Sequence, residues 1–415
     1  MDPQTAPPQP SPKRRLVLEA LAARNENQQW EDFIARMLLK LELTPEKQAA
    51  ARKRYEELGR HVARHMGIGE TDAHVVVQGS MRTQTTIAGD GREKFDLDIV
   101  VKLCGAEFQG LKHSEDFFQR FGAALHGIEG AGTPEPKNRC WRLQYPGEPF
   151  YFDVTPAIPL SEEITGTDLR VRDKKKVWSP SNPEEFADWF CTIANKRFAF
   201  QERMVKSALA FEARTTVDPL PQTKVALDDI LRRLVQLMKL HRDGYYKNLP
   251  DAQGDARPIS VILVTLATHA YNEMVTNERH NYSSAIEVAL EVIDRMPRFI
   301  RRVNGLAFVD NPALPGRAGE NFADRWNTDG GMRAKEFKTW HERLVEDLEA
   351  MFSEEYTKRT EGRIRAVFGA PGVQAWKDSQ PSMPTILSGL LATAPSQPRS
   401  QPQAPRSSGS RDTLA

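Results

Sequence analysis

Apolar residues change their spacing twice along this chain, and these changes limit the folds open to it. From Trp30 to Leu41 they recur every three or four positions, which predicts an amphipathic helix. After the break at 67–69 the spacing falls to two, which is typical of strands with one buried face. From Pro183 onward the helical spacing returns. A helical start, a mixed sheet and a helical second half predict an α+β fold.

Individual elements follow from the same spacing and from the residues that bound them. Strands are predicted at 74–78, 94–103, 139–145 and 150–155. Thr44 before Pro45 is typical of an N-cap followed by a first-turn proline, so a helix is predicted from there to about His65. Later helices are predicted at 183–200, 225–242, 259–275, 283–295 and 334–358.

The charge balance excludes one class of function. The 415 residues include 57 Lys and Arg against 56 Asp and Glu, a formal net charge of +1. A protein that grips bulk nucleic acid draws its affinity from a large positive excess. We therefore expect no constitutive nucleic-acid binding.

The chain ends, the apolar runs and the cysteines indicate where the protein works. Residues 1–12 and 378–415 hold 11 of the 28 prolines, so both ends are predicted to be disordered. No apolar run reaches the roughly 18 residues of a membrane span, and the first residues do not form a secretory signal. The three cysteines are too few and too scattered for a disulfide framework or a zinc site. We expect a cytoplasmic protein without membrane contact.

A Gly-Ser turn follows the first predicted strand directly, in the sequence Gln78-Gly79-Ser80. Glycine lets the backbone approach an oxyanion closely, and Ser80 with the amides beyond it would point donors at a phosphate, particularly if 81–86 begins a helix. Alone, such a pair is commonly only a turn.

Three aspartates lie on the next predicted strands. Asp96 and Asp98 are two residues apart, so their side chains project from one face while the apolar residues between them take the other. Asp153 alternates with apolar neighbours in the same way and can join the pair across the sheet. A lone Asp-x-Asp is commonly solvated surface, but three carboxylates around two Mg²⁺ or Mn²⁺ ions are suited to in-line nucleotidyl transfer.

In this order and spacing, the Gly-Ser turn and the three aspartates resemble the signature of the polymerase-β-like nucleotidyltransferase superfamily. Four further stretches, at 178–190, 235–243, 258–263 and 311–326, narrow the resemblance to the bacterial CD-NTases. These enzymes are similar to cyclic GMP-AMP synthase and oligoadenylate synthase and make cyclic oligonucleotides in CBASS anti-phage defence. The resemblance covers roughly residues 30–330.

The resemblance implies a fold and a site. A nucleotidyltransferase lobe at 13–190, a mixed sheet with N-terminal helices, would face a helical lobe at 191–377, with the active site in the cleft between them. Asp96, Asp98 and Asp153 would be catalytic and would bind the metal ions. The residues expected to bind substrate are Gln78, Gly79, Ser80, Asn182, Lys239 and Ser260.

Several of these residues have a structural alternative. Lys239 lies on an otherwise apolar helix face, where a triphosphate would supply its counter-charge; snorkelling or a salt bridge is the alternative. Ser260 begins a helix and could be only its N-cap. Asn182 could contact a nucleobase or cap the helix that begins at Pro183. His241 and Arg242 could be structural, and no histidine is assigned a metal.

The chain also departs from the family pattern. Phe186 stands where the family commonly has Tyr. Phenylalanine can still stack on a base but lacks the tyrosine hydroxyl. Residues 315–319 resemble a small insertion. The basic clusters at 137–142 and 170–176 could face incoming nucleotides, although a solvated surface is the favoured interpretation.

The function implied is a metal-dependent nucleotidyltransferase that condenses and cyclises NTPs, including ATP, into a cyclic di- or trinucleotide for CBASS signalling and releases pyrophosphate. The alternatives are a non-cyclising transferase acting on RNA or protein, and a catalytically silent nucleotide-binding scaffold. The family also implies a possible ubiquitin-transferase-like or HORMA-domain partner for the C-terminal tail or the helical lobe; an inert tail is the alternative.

Overall fold

The structure is a computed structural model. It describes residues 12–87, 94–161, 164–173, 177–200, 229–247, 249–314, 319–356 and 360–379. The ends predicted to be disordered lie outside these residues, except for Pro12, Asp378 and Ser379, which belong to helices. Most of the insertion at 315–319 and the end of the basic cluster at 170–176 also lie outside them.

The described residues form helices first, then a mixed sheet with short helices, and then a helical second half, which is the broad order that the sequence predicts. The α-helices are α1 (Pro12–Arg24), α2 (Asn27–Leu41), α3 (Pro45–Met66), α4 (Gly79–Arg82), α5 (Ala106–Gln109), α6 (Ser114–Ala124), α7 (Pro183–Ala194), α8 (Ile230–Tyr246), α9 (Asp251–Asp255), α10 (Ser260–Asn277), α11 (Ala285–Arg295), α12 (Met332–Ser353) and α13 (Thr360–Ser379). The strands are β1 (Ala73–Val77), β2 (Phe95–Leu103), β3 (Glu135–Pro136), β4 (Trp141–Gln144), β5 (Phe150–Pro159), β6 (Leu169–Asp173), β7 (Val177–Ser181), β8 (Arg301–Val303) and β9 (Leu306–Phe308). None of the helices in the described part of the chain is long and apolar enough to cross a bilayer.

The first seven strands form one mixed sheet. Its main path runs β1-β2-β5-β4-β3, with β6 added to β5 and β7 to β6. The β2–β5 pair is parallel and places Asp98 opposite Asp153, while the antiparallel β4–β5 pair places Arg142 opposite Asp153. Residues in register share a face of a sheet, so the predicted carboxylates and Arg142 form a row across three neighbouring strands.

Alternation along β2 and β5 separates the core from the polar row. Leu97, Ile99 and Phe152 are buried among the apolar residues of α3 and α6. Asp96, Asp98 and Asp153 alternate with them and therefore lie on the opposite face. The period-two spacing thus both builds the core and aims the aspartates away from it, which confirms the predicted mixed α+β sheet.

The helical core includes both ends of the described chain. Val17 and Leu21 of α1 and Phe33 of α2 are buried in one cluster with α8, α10, α11, α12 and α13. The Trp30 ring packs edge-on against Phe352, with 5.5 Å between ring centroids. The predicted lobe at 13–190 included α1 and α2, but these helices pack with the helical half, because their apolar faces meet its helices; of the first three helices, α3 is the one that packs on the sheet.

Candidate active site

Seven of the nine predicted site residues line one cavity of about 320 Å³. They are Gln78, Gly79, Ser80, Asp96, Asp98, Lys239 and Ser260. Gln78, Gly79 and Ser80 come from the turn after β1 and the short helix α4, Asp96 and Asp98 from β2, and the last two from the helices α8 and α10. The residues that the sequence predicted for one site, although far apart in the chain, therefore meet between the sheet and the helical half.

The three aspartates form the acidic part of the site. One carboxylate oxygen from each of Asp96, Asp98 and Asp153 lies within 4.8 Å of the other two. Loss of solvation, followed by the charges of Asp96 and Asp153, raises the pKa of Asp98 well above its usual range. An oxygen-ligated divalent ion relieves this repulsion, so the donor set fits Mg²⁺ or Mn²⁺.

Gly79 lies directly against the acidic cluster. Its φ of +62° belongs to the left-handed region that favours glycine. A Cβ at this position would collide with Oδ2 of Asp98. The backbone N–H of Gln78 donates to the carbonyl oxygen of Asp98 at 3.1 Å, which fixes the turn on β2. Glycine is therefore needed both for the backbone conformation and for the approach to Asp98.

The secondary structure around Ser80 differs from the expected one. The helix predicted from Met81 begins instead at Gly79 and ends at Arg82, a single turn. Oγ of Ser80 accepts a hydrogen bond from Thr86 Oγ1 at 3.1 Å. The Ser80 hydroxyl hydrogen remains a donor for a phosphate oxygen in the cavity.

Lys239 projects from α8 into the same cavity. Its Nζ donates to the carbonyl oxygen and to Oγ1 of Thr85, each at 3.0 Å. Its side chain is 5% exposed, so it does not snorkel, and within the described residues no carboxylate lies within salt-bridge distance of Nζ. Burial, followed by the charge of Arg242, lowers the Lys239 pKa to about 7. An arriving triphosphate would favour its charged form.

Arg242 and Ser260 are joined at the cavity wall. Nη1 of Arg242 donates to Ser260 Oγ at 2.9 Å, and its Nη2 donates to Asp243 Oδ1 at 2.8 Å. Ser260 is the first residue of α10, and Ile259 occupies the N-cap position without a side-chain bond, so Ser260 is not the cap. Arg242 lines the cavity as well.

His241, by contrast, is a core residue. Its Nδ1 accepts a hydrogen bond from Trp340 Nε1 at 3.1 Å, and its Nε2 lies 3.2 Å from Asp347 Oδ2. The side chain is buried in the helical half. The structural interpretation of His241 is confirmed.

Asn182 is a helix cap and not a visible part of the cavity. Its Oδ1 accepts from the backbone N–H of Glu185 at 3.1 Å, and its Nδ2 donates to Asp168 Oδ1 at 2.9 Å. The side chain is fully buried. Both the oxygen and the nitrogen of the side-chain amide are therefore hydrogen-bonded within the protein. The structure supports the capping role of Asn182 in place of the expected substrate contact.

Arg142 is a site residue that the sequence analysis missed. Its Nε and Nη2 donate to Oδ1 and Oδ2 of Asp153 at 2.8 and 2.7 Å, and its guanidinium lies 4.2 Å from the Tyr151 ring centroid. This fork orients Asp153 toward Asp98. Arg142 alternates with the buried Trp141 and Leu143, so it lies on the same face of the sheet as the carboxylates. This alternation is the sequence pattern that could have identified it.

In the cluster at 170–176, the two described arginines are not part of a solvated surface as expected. Arg170 donates to the carbonyl oxygens of Phe108 and Gln109 at 2.7 and 2.8 Å, and Arg172 is buried and pairs with Glu115. These guanidinium groups stabilise the sheet edge, because each satisfies backbone or carboxylate oxygens of neighbouring elements.

An aromatic wall, formed by Phe186 and Phe322, closes another part of the cavity. The two rings meet edge-on with 5.6 Å between centroids. Aromatic faces of this kind stack on nucleobases without strong base preference.

Comparisons with known proteins agree with this geometry. Residues 73–156 match the family model described as the nucleotidyltransferase domain of cyclic GMP-AMP synthase DncV-like proteins. The chain is 28% identical over 316 residues to a c-di-GMP synthase of Roseivirga ehrenbergii, covering 74% of this chain and 75% of the relative. It is also 28% identical over 305 residues to the cyclic dinucleotide synthase CdnG of Bradyrhizobium diazoefficiens, covering 71% and 69%. The family model and both relatives indicate a bacterial CD-NTase.

The fold of this CD-NTase is shared with a solved relative. The structure of the Bradyrhizobium diazoefficiens CD-NTase CdnG in complex with GTP superposes with a TM-score of 0.60 at 23% identity, covering 84% of this chain and 97% of the other. Like its relatives, the CD-NTase described here is a nucleotidyltransferase. The family is metal-dependent, and the aspartate cluster supplies a place for the metal.

Proposed function

We propose that this CD-NTase condenses and cyclises purine nucleoside triphosphates into a cyclic dinucleotide and releases pyrophosphate. The observation that carries the proposal is the convergence of the aspartate cluster, Ser80 and Lys239 on one cavity that also has an aromatic wall. These groups match the metal-chelated triphosphate and the base of a nucleotide.

In each transfer, a ribose hydroxyl oxygen bonds to the α-phosphorus of a triphosphate, the bond from that phosphorus to the bridging oxygen breaks, and pyrophosphate leaves. Asp96, Asp98 and Asp153 would hold the metal, which lowers the pKa of the attacking hydroxyl and stabilises charge on the leaving group. Arg142 orients Asp153 for this task. Ser80 donates to a phosphate oxygen, and Lys239 neutralises the triphosphate.

The names of the relatives favour a cyclic dinucleotide over a trinucleotide, since one is a c-di-GMP synthase and the other a cyclic dinucleotide synthase. ATP as a substrate, a place in CBASS signalling and a cytoplasmic location stay predictions from the resemblance. A HORMA-domain or ubiquitin-transferase-like partner also stays a prediction, and the tail that it was expected to contact lies outside the described residues.

The proposal is tested by incubating the protein with radiolabelled ATP and GTP and with Mg²⁺ or Mn²⁺. We expect a product that resists phosphatase, because a ring has no terminal phosphate. A phosphatase-sensitive product would contradict cyclisation and support a non-cyclising transferase. Nucleotide binding without turnover would support the silent scaffold.

Replacing Lys239 with Met is expected to raise the KM for the triphosphate about tenfold to a hundredfold, the loss for a charged hydrogen bond in a desolvated site. Lys102→Met is the matched control, since Lys102 is equally buried but pairs with Glu184, away from the residues that line the cavity. Steady-state kinetics should show an unchanged KM and lower thermal stability for the control. An equal rise in KM for both variants would contradict the role of Lys239.

A further inference from the structure

A further carboxylate, that of Glu320, belongs to a residue that lines the cavity. Its residue is 9% exposed, and it lies two positions before Phe322 of the aromatic wall. The backbone N–H of Asn311 donates to the Glu320 carbonyl oxygen at 2.8 Å, which holds this segment against its neighbour. The carboxylate therefore belongs to the part of the cavity with the aromatic wall, where the proposed function puts the base.

Both oxygens of Glu320 are held in place. Oε1 accepts from Arg139 Nη1 at 2.7 Å, and Oε2 accepts from Asn311 Nδ2 at 3.1 Å. Arg139 is itself fixed by Asp173, whose Oδ2 accepts from its Nη2 at 3.1 Å, and by Ser179 Oγ at 3.3 Å. Each carboxylate oxygen can accept a further hydrogen bond. The Glu320 carboxylate is thus an oriented acceptor at the cavity wall.

The aromatic wall cannot by itself distinguish purines, because every base has a face that stacks. Asn311 commits its amide nitrogen to Glu320. The group at this wall with acceptor capacity and a fixed direction is therefore the carboxylate. Guanine presents two adjacent donors, N1–H and the 2-amino group, on the edge where adenine presents the N1 acceptor.

We propose that Glu320 selects guanine over adenine by accepting hydrogen bonds from N1–H and the 2-amino group of the bound nucleotide. Adenine would place its N1 lone pair against the carboxylate, which is a repulsive contact that strengthens discrimination. The inference rests on the proposed nucleotide-binding function. It also narrows the choice of substrate that the resemblance implied, since GTP should bind at this site with higher affinity than ATP.

Binding is measured with the α,β-methylene triphosphates of guanosine, inosine and adenosine, whose bridging carbon prevents release of pyrophosphate. Isothermal titration calorimetry in Mg²⁺ should rank the wild-type affinities as guanosine, then inosine, which lacks the 2-amino group, then adenosine. Glu320→Gln should weaken guanosine binding about tenfold to a hundredfold, as expected for lost hydrogen bonds to a charged group. Adenosine binding should not weaken and should become tighter, because the substitution removes the repulsive contact between the carboxylate and adenine N1.

Asp173→Asn is the matched control. It removes the other carboxylate on Arg139, and neither Asp173 nor Arg139 is among the residues that line the cavity. It should leave the order of the three affinities unchanged. If Asp173→Asn alters the order as Glu320→Gln does, the Arg139 network shapes the cleft and the inference is wrong.

The wild-type ranking tests the inference even if Glu320→Gln fails to fold. Equal binding of the guanosine and adenosine analogues by the wild-type protein would overturn guanine selection while leaving the proposed function intact. Failure of all three analogues to bind would overturn the proposed function itself.

Discussion

Asp98→Asn is expected to reduce kcat by at least about a thousandfold, since it removes a charged ligand from the centre of the metal site. Asp98 stands in register with Asp153 and two residues from Asp96, so its carboxylate is shared by the whole cluster. The isosteric amide keeps the shape of the site and removes one negative charge. Product formation with radiolabelled nucleotides measures the loss, and calorimetry with Mn²⁺ should show weaker metal binding.

The same substitution should stabilise the protein in EDTA. The pKa of Asp98 is raised because its charged form lacks solvation and faces two other carboxylates. An acid whose pKa is raised by folding destabilises the folded state once the pH exceeds its unfolded pKa, so the neutral amide removes a cost at pH 7. Asp188→Asn, at an exposed carboxylate of α7, is the control and should alter neither kcat nor melting temperature. A melting temperature lowered by Asp98→Asn would contradict the repulsion.

Gly79→Ala is expected to lower kcat/KM about a hundredfold or more, because a small displacement of a catalytic group is costly. The added methyl group would collide with Oδ2 of Asp98 and displace it from Asp96 and Asp153. Metal affinity should fall together with activity, which calorimetry with Mn²⁺ checks independently of turnover.

Gly67→Ala separates that collision from backbone strain. Gly67 has a φ of +73°, close to the +62° of Gly79, but nothing lies within 4 Å of the position its Cβ would take. Both variants bear the cost of a left-handed alanine, about 1 to 2 kcal/mol. We expect Gly67→Ala to lose stability and keep metal affinity. Equal loss of metal affinity in both variants would show that strain alone is responsible.

Features of the fold and of the site that depend on the spacing of nearby residues could be predicted from the sequence. The period-two runs predict β2 and β5 correctly, and the same alternation puts Asp96 and Asp98 on one face. The Thr44 cap is confirmed, since its side chain accepts from the backbone N–H of Lys47. Each of these features involves residues a few positions apart.

Features without such a local signal were missed. β7 contains Pro180, and proline argues against a strand because it has no N–H for the ladder. The structure accommodates Pro180 in β7, which pairs with β6. α1 lacks a clear apolar stripe and buries Arg14, which pairs with Glu291 and Asp294. Its helical packing depends on partners nearly 280 residues away, which no local pattern contains.

The contacts of the site residues also depend on partners that are far away in the sequence. Arg139 meets Glu320 across 181 positions, and Lys239 meets Thr85 across 154. Glu320 lies inside a stretch that the sequence analysis recognised, yet only the fold shows that this residue lines the cavity. The roles of individual polar side chains could therefore be assigned only from the folded structure, in which the sheet and the helices come together.

The packing of Trp30 has a consequence for how the protein is made. Its ring meets Phe352, Tyr356 and Trp376, with centroids 5.5, 4.9 and 6.3 Å away. During synthesis the ribosome adds these partners more than 300 residues after Trp30, at about 5 to 20 residues per second. Until α8 and the later helices have been made, the apolar faces of α1 and α2 lack the partners of the folded protein, although the sheet that follows them can already form. The nascent chain is then most in need of chaperone protection at its own beginning.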